Sequence, residues 1–273
     1  MLKADIQYLA EGGDDTVYFA SSAGGNANFS VNKPMETLSL EVDDARDRNI
    51  DQERDSKTGL PSCGFMLVDA PSAVNNYLDD HQISEIYEVE ATELLKSITG
   101  ASRVHIFDHT VRASDAGIRE TKQIREPSTL VHNDYTVNSG FTCLQENLGD
   151  DAQKLKQGRF QIINLWRPLV DPVQSWPLAL CDARSVDEAD MVNVERRSPS
   201  HVGEISLATF NPNHRWFYYP EMNPAEVLIF KTFDSQNGGR VPYAIHTAID
   251  IPAVSPNVRP RESIETRVFV FYQ

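Results

Sequence analysis

The segment Leu130-Val131-His132-Asn133-Asp134-Tyr135 places an imidazole and a carboxylate two residues apart. In a β-strand such side chains point to the same face, so His132 and Asp134 can meet one metal ion. A third ligand must come from elsewhere. The segment Tyr243-Ala244-Ile245-His246-Thr247-Ala248 offers one, a histidine among mostly apolar neighbours. Two imidazoles and one carboxylate on one side of an octahedral ion leave its other side open, and iron(II) uses such positions to take a co-substrate and dioxygen together. A His-x-Asp alone arises by chance in many chains, and a lone strand histidine is more often a hydrogen-bonded core residue. The pattern gains weight from Arg261-Glu262-Ser263-Ile264 downstream of His246. An arginine and a serine on one strand face can grip a carboxylate with a fork of N–H donors and a hydroxyl.

These residues need strands to hold them. Strand-like patterns run over residues 103–107, 130–135, 160–166, 204–210, 216–219, 226–231, 243–251 and 263–272. Turn signals separate them, among them Gly149-Asp150-Asp151, Asn211-Pro212-Asn213, Asn237-Gly238-Gly239 and Ser255-Pro256-Asn257. Ahead of the strands, Ile83, Ile86, Tyr87, Leu94, Leu95 and Ile98 recur at helical spacing, with Asp79 or Asp80 as cap and Gly100 as stop. A helical insert is expected over 186–194. About eight strands after one helix suggest a mainly β protein with flanking helices, a double-sheet jelly roll or barrel with a pocket at one end. Residues 1–60 are polar and turn-rich, too thin in apolar content for a core of their own. They read as an arm or cover on a main domain over 61–273.

At 273 residues the chain can bury a sizeable core. A net charge of −15 would repel a phosphate backbone, which argues against nucleic acid and anionic membranes as partners. Residues 1–12 show no apolar stretch of secretory length, and no segment approaches the roughly 20 apolar residues of a membrane span. Cys63, Cys143 and Cys181 are odd in number and far apart, which fits reduced thiols in a cytoplasmic protein. A monomer or homodimer is expected.

The order His-x-Asp, distal His, Arg-x-Ser resembles the 2-oxoglutarate/Fe(II)-dependent dioxygenase superfamily and its double-stranded β-helix, a cupin-like jelly roll. More narrowly, the chain resembles the mainly fungal hydroxylase/desaturase family that includes gibberellin desaturase-like and aspergillic-acid-pathway proteins. The similar segments are Phe107-Asp108-His109-Thr110-Val111-Arg112, Val131-His132-Asn133-Asp134, Asn164-Leu165-Trp166-Arg167-Pro168-Leu169, Pro177-Leu178-Ala179-Leu180-Cys181-Asp182-Ala183 and Arg261-Glu262-Ser263-Ile264-Glu265-Thr266-Arg267. They span the whole expected core. Tyr135 departs from the small or amide side chain expected after the metal Asp. The resemblance implies Fe(II) held by His132, Asp134 and His246, with 2-oxoglutarate and O2 as co-substrates. It also implies hydroxylation, desaturation or cyclisation of a small secondary metabolite. An Fe(II) oxidase without 2-oxoglutarate, or a non-catalytic cupin-like metal binder, would need no carboxylate clamp.

Two arginines compete for that clamp. Arg261, Ser263, Glu265 and Arg267 share a strand face by parity, and a regular strand would put Arg261 and Arg267 roughly 20 Å apart. Arg261 is favoured by its neighbour Ser263 and its shorter path from His246. Arg267 is left to pair with Glu265 or a substrate acid, although a bulge would weaken the parity argument. Asn164 and Trp166 share one strand face and are candidates for lining the pocket; Arg167 could meet an acidic substrate or a surface acid. His105, Asp108 and His109 could make a rival metal site, but adjacent strand residues point apart. His81, His201 and His214 read as solvated.

Overall fold

The computed structural model describes every residue except Met1, Asp14, 25–28, Asn49, 56–57, Ser200, 237–241, 252–257 and Gln273. The expected turns at Asn237-Gly238-Gly239 and Ser255-Pro256-Asn257 therefore lie outside the described residues.

In chain order the strands are β1 Leu2–Leu9, β2 Val17–Phe19, β3 Ser30–Val31, β4 Met35–Asp44, β5 Phe65–Asp69, β6 Arg103–Ala113, β7 His132–Asn133 and β8 Phe160–Pro168. There follow β9 Leu178–Cys181, β10 Met191–Arg197, β11 Val202–Ala208, β12 Trp216–Tyr218, β13 Glu226–Asp234, β14 His246–Ala248 and β15 Glu262–Phe271. They form a larger sheet in the order β1-β4-β12-β9-β14-β7-β11-β10-β2-β3 and a smaller one in the order β5-β13-β8-β15-β6. Trp166 of β8 and Leu228 and Phe230 of β13 pack against Leu178 and Leu180 of β9 and Phe217 of β12, so the two sheets share a core. The helices are α1 Ala45–Arg48, α2 Asp80–Gln82, α3 Glu88–Thr99, α4 Ala116–Lys122, α5 Val137–Leu148 and α6 Asp151–Leu155.

The smaller sheet is covered on both faces. Ala91 and Leu95 of α3 pack against Ile163, Leu165, Val227, Ile229, Val268 and Val270. Every residue of β8 is accordingly buried, and fully burying one such aliphatic side chain is worth about 1.5–3 kcal/mol. The helix expected over 80–99 is present, capped by the Asp79 side chain and ended by Gly100 at φ 66. A π-helical turn, Ile83–Tyr87, joins α2 to α3.

Two features differ from the sequence pattern, and a third gives the N-terminal segment its place. Residues 186–194 hold a 3-10 turn, Glu188–Asp190, followed by β10, because Met191–Arg197 pairs in full with β11. Helix α5 has no strong sequence signature. Thr136 and Ser139 form a capping box at its start, and a Cβ at Gly140 would lie 2.4 Å from the Phe233 ring. Within residues 1–60, read as an arm or cover, strands β1 to β4 are hydrogen-bonded into the larger sheet. β1 pairs with β4 along its whole length, and Val131 N–H donates to the Gln7 carbonyl at 2.9 Å. Ala4, Ile6 and Tyr8 pack against Val131, Ala179, Cys181 and Ile245, so this segment backs the strands that carry His132 and His246.

Candidate metal centre

β7 and β14 are antiparallel neighbours, and His246 stands directly opposite His132. The two imidazoles lie with ring centroids 4.3 Å apart. Asp134 follows β7 in the short link before α5, whose cap at Thr136 fixes the far end of that link. Asn133, fully buried between the two ligand candidates, donates to the Tyr135 and Thr232 carbonyls at 2.6 and 3.0 Å, which pins the link to β13.

One potential ligand atom from each of His132, Asp134 and His246 lies within 4.8 Å of the others, and this is the one cluster of its kind among the described residues. Asp134 Oδ1 is 3.5 Å from His132 Nε2 and 3.9 Å from His246 Nε2. The atoms that face away are occupied. His132 Nδ1 lies 2.7 Å from the Leu130 carbonyl and His246 Nδ1 3.2 Å from that of Ala244. A carbonyl can only accept, so each Nδ1 carries a proton, which leaves Nε2 as the atom of each ring that can meet a cation. Asp134 Oδ2 accepts from Asn164 Nδ2 at 2.8 Å and from Arg267 Nε at 3.0 Å. This leaves Oδ1 for a cation.

The electrostatics favour the metal-binding protonation states. Burial, reinforced by the neighbouring His132, pushes His246 down to about 3, so it is neutral at physiological pH. Burial works against the Asp134 anion, but the Arg267 guanidinium and the contact with His132 outweigh it and hold the carboxyl well below its usual range. Two imidazoles and a carboxylate with a shared open side are a donor set that suits Fe(II).

The other sequence candidates fall into distinct places. Arg267 is not remote from the metal site. Besides Asp134 it donates to Asp108, to Glu265 and, at 3.1 Å, to Thr110. The bulge at Arg267/Val268 is where the β15–β6 register shifts. Asn164 supports Asp134 and accepts from Thr232 at 3.3 Å. Arg261 is buried beneath the Trp166 ring, 5.0 Å from its centroid. It donates to the Trp176 carbonyl at 2.7 Å and to Ser263 at 3.2 Å. Burial lowers its guanidinium to about 9, still protonated at neutral pH. Arg167 donates to the Pro224 carbonyl at 2.6 Å, lies over Tyr87 and, with Asp69 and Glu90, lines a separate cavity of about 290 Å³.

His105, Asp108 and His109 do not converge. His109 turns to Thr266 and Glu88, Asp108 to Arg267, and His105 stacks on Phe269. His109→Ala is therefore expected to leave Fe(II) affinity unchanged in a metal titration; loss of iron would move the centre to this cluster. His214 corrects the solvated reading. It is buried between the Tyr8 hydroxyl at 3.0 Å and Asp190 at 3.1 Å. Tyr8, from a strand distant in sequence, stacks on it and is itself held by the Trp216 indole N–H.

A cavity of about 1240 Å³ opens beside the centre, lined among others by His132, Asp134, Tyr135, Arg267 and Leu207. No helix among the described residues is long and apolar enough to cross a membrane.

Comparison with known proteins agrees with this geometry. The family described as "Oxidoreductase/YMDC permease-like domain" matches residues 6–271. The chain is 33% identical over 251 residues to the hydroxylase/desaturase efuI of Hormonema carpetanum, covering 81% of each. It is 29% identical over 250 residues to the alpha-ketoglutarate-dependent dioxygenase phiK of a fungal species, covering 88% of this chain and 86% of the relative. The solved structure of the iron and alpha-ketoglutarate-dependent endoperoxidase NvfI superposes with a TM-score of 0.83 at 26% identity, over 99% of this chain and 97% of the other. The jelly-roll expectation is met, and the chain belongs to this oxidoreductase family as an Fe(II)- and 2-oxoglutarate-dependent dioxygenase related to the fungal hydroxylase/desaturases.

Proposed function

We propose that His132 Nε2, His246 Nε2 and Asp134 Oδ1 ligate the Fe(II) of this dioxygenase. In this reading Arg267 and Asn164 position Asp134, and Arg261 with Ser263 receives the far carboxylate of 2-oxoglutarate. The observation that carries the reading is the convergence of three ligand atoms while every opposite atom of the same side chains is already hydrogen-bonded. Bound Fe(II) supplies the positions at which 2-oxoglutarate and dioxygen meet, coupling decarboxylation of the first to oxidation of a substrate C–H bond.

The protein's own part is placement. The backbone carbonyls of Leu130 and Ala244 hold the two imidazoles in one tautomer and one orientation. Arg267 and Asn164 keep the carboxylate ionised and turned with one oxygen forward. For the co-substrate, the two arginines differ in what they already hold. Arg267 contacts three carboxylates, those of Asp134, Asp108 and Glu265. Arg261 contacts none among the described residues. The Trp166 indole N–H beside it is buried without a hydrogen-bond partner. An unpaired buried cation next to an orphaned donor suits an incoming carboxylate.

Hydroxylation, desaturation and ring closure share the same first C–H oxidation, and the relative named as an endoperoxidase adds a further outcome. The cavity accommodates a small metabolite, not a polymer. Residues 1–60 act as the cover of the metal-bearing strands and 61–273 as the catalytic core of a cytoplasmic monomer or homodimer. The clamp is tested at saturating Fe(II). Arg261→Lys cannot reproduce a bidentate fork and should raise the apparent 2-oxoglutarate requirement more than about tenfold, with Arg267→Lys affecting it less. The reverse ranking would transfer the clamp to Arg267.

A further inference from the structure

The cavity beside the metal centre holds a pair of arginines that the reaction described so far does not use. Arg196 lies on β10 and Arg125 after α4, and both line the cavity. The other cations of the wall are engaged. Lys122 pairs with Glu262, Arg267 holds three carboxylates, and Arg112 donates to the Glu126 carbonyl at 2.9 Å. Among the described residues the guanidiniums of Arg125 and Arg196 make no hydrogen bond or ion pair. Of the carboxylates on this wall, Glu195 pairs with Arg197, while Glu204 accepts from the neutral Thr136 hydroxyl and keeps its charge. Glu126 also lines the wall but forms no ion pair with either arginine.

The arrangement is costly as it stands. Burial and the like charge of Arg125 both work against the Arg196 cation, and the charges next felt by Arg196 are Tyr18, Arg267 and Asp134. Backbone pairing fixes the arrangement: Arg196 stands beside Tyr18 across the β10–β2 ladder, and Arg125 bridges to Arg112 on β6. Carboxylates line the same cavity, Glu126 and Glu204 among them, yet none forms an ion pair with either arginine among the described residues. Two partly buried guanidiniums on one cavity wall, with no ion-pair partner among the described residues, form a site that can take an anion.

We propose that Arg125 and Arg196, assisted by Arg112 and the Tyr18 hydroxyl, form an anion subsite for the primary substrate, which is therefore an organic acid. This rests on the reading of the cavity as the substrate space of the oxygenase. The carboxylate would sit on the arginine pair while the rest of the molecule reaches toward His132 and Asp134. The only other carboxylate the reaction brings is that of 2-oxoglutarate, and the test separates the two.

Anaerobic Fe(II)-loaded protein is titrated by calorimetry with adamantane-1-carboxylate and cyclohexanecarboxylate, and with the neutral amide of each. At least one acid should bind about tenfold tighter than its amide, with and without saturating 2-oxoglutarate, and Arg196→Gln or Arg125→Gln should erase that preference. In the same variants the 2-oxoglutarate affinity should stay within about twofold, as expected of sites that share no partner. Arg196→Lys, which keeps the charge, should retain most of the preference. Because the unpaired charges oppose folding, Arg196→Gln should keep or raise the melting temperature, where loss of a structural arginine would lower it. No acid preference in the wild type overturns the proposal. So does a preference abolished by 2-oxoglutarate, which would assign the arginines to the co-substrate. Wild type that prefers the acids yet binds neither Fe(II) nor 2-oxoglutarate would sustain the anion subsite and remove the oxygenase reading instead.

Discussion

Replacing His132, Asp134 or His246 by Ala is expected to abolish turnover and to weaken Fe(II) binding by more than the about 10–100-fold that loss of an outer partner costs. The three positions should not behave alike in stability. Asp134→Ala leaves Arg267 with Asp108 and Glu265 and frees the Asn164 amide. His246→Ala opens a void beside Phe230, whose ring lies 4.7 Å from the imidazole, so it should be the most destabilising of the three. His132 is only partly buried, and its loss should be the mildest for the fold. Metal titration and denaturant unfolding on the same samples separate the two effects. Wild-type iron affinity in all three folded variants would dismiss the assignment.

Arg267→Met carries the second large expectation. The guanidinium sits among Asp134, Asp108 and Glu265, and burial disfavours it less than those three anions favour it. Removing it leaves carboxylates facing one another with no cation between them. Breaking a buried charge network in this way costs about 3–5 kcal/mol. The Asp108 side chain is 42% exposed, which screens its share and places the cost toward the lower figure. Asp134 also loses the donor that holds Oδ2 away from the metal side, so iron affinity should fall about 10–100-fold even in protein that remains folded. Arg267→Lys should recover part of the stability but little of the iron affinity, since an ammonium cannot serve several carboxylates as a planar fork does. An Arg267→Met protein with unaltered iron affinity would show that Asp134 needs no such support.

What the residues reveal before folding depends on how local the determining contact is. His-x-Asp is a short-range pattern, and in the structure its side chains meet that of the distal His246, although Asp134 stands just beyond β7. The helix up to Gly100 is equally local. The cross-strand register that sets His246 opposite His132 is not local, because β7 and β14 contribute only two and three residues and their alignment is set by neighbouring strands. Parity placed Arg267 on the correct face of β15 but not its distance from Asp134, which follows from the pairing of Arg267 with Asn164 on β8. Helix α5 begins with Val137-Asn138-Ser139-Gly140-Phe141, whose polar residues and glycine carry no helical periodicity. Its glycine exists for the Phe233 ring, a contact made across 93 residues. His214 reads as solvated because its partners, Tyr8 and Asp190, reach it from elements distant in sequence.

The most direct measurement is the formation of succinate from 2-oxoglutarate by the purified protein with Fe(II), in air and without oxygen, beside Asp134→Ala. Wild type is expected to release succinate slowly in air even with no primary substrate, to stop under anaerobic conditions, and to lose the activity with Asp134→Ala. Succinate formed equally without oxygen, or equally by the Asp134→Ala protein, would contradict an iron centre built on His132, Asp134 and His246.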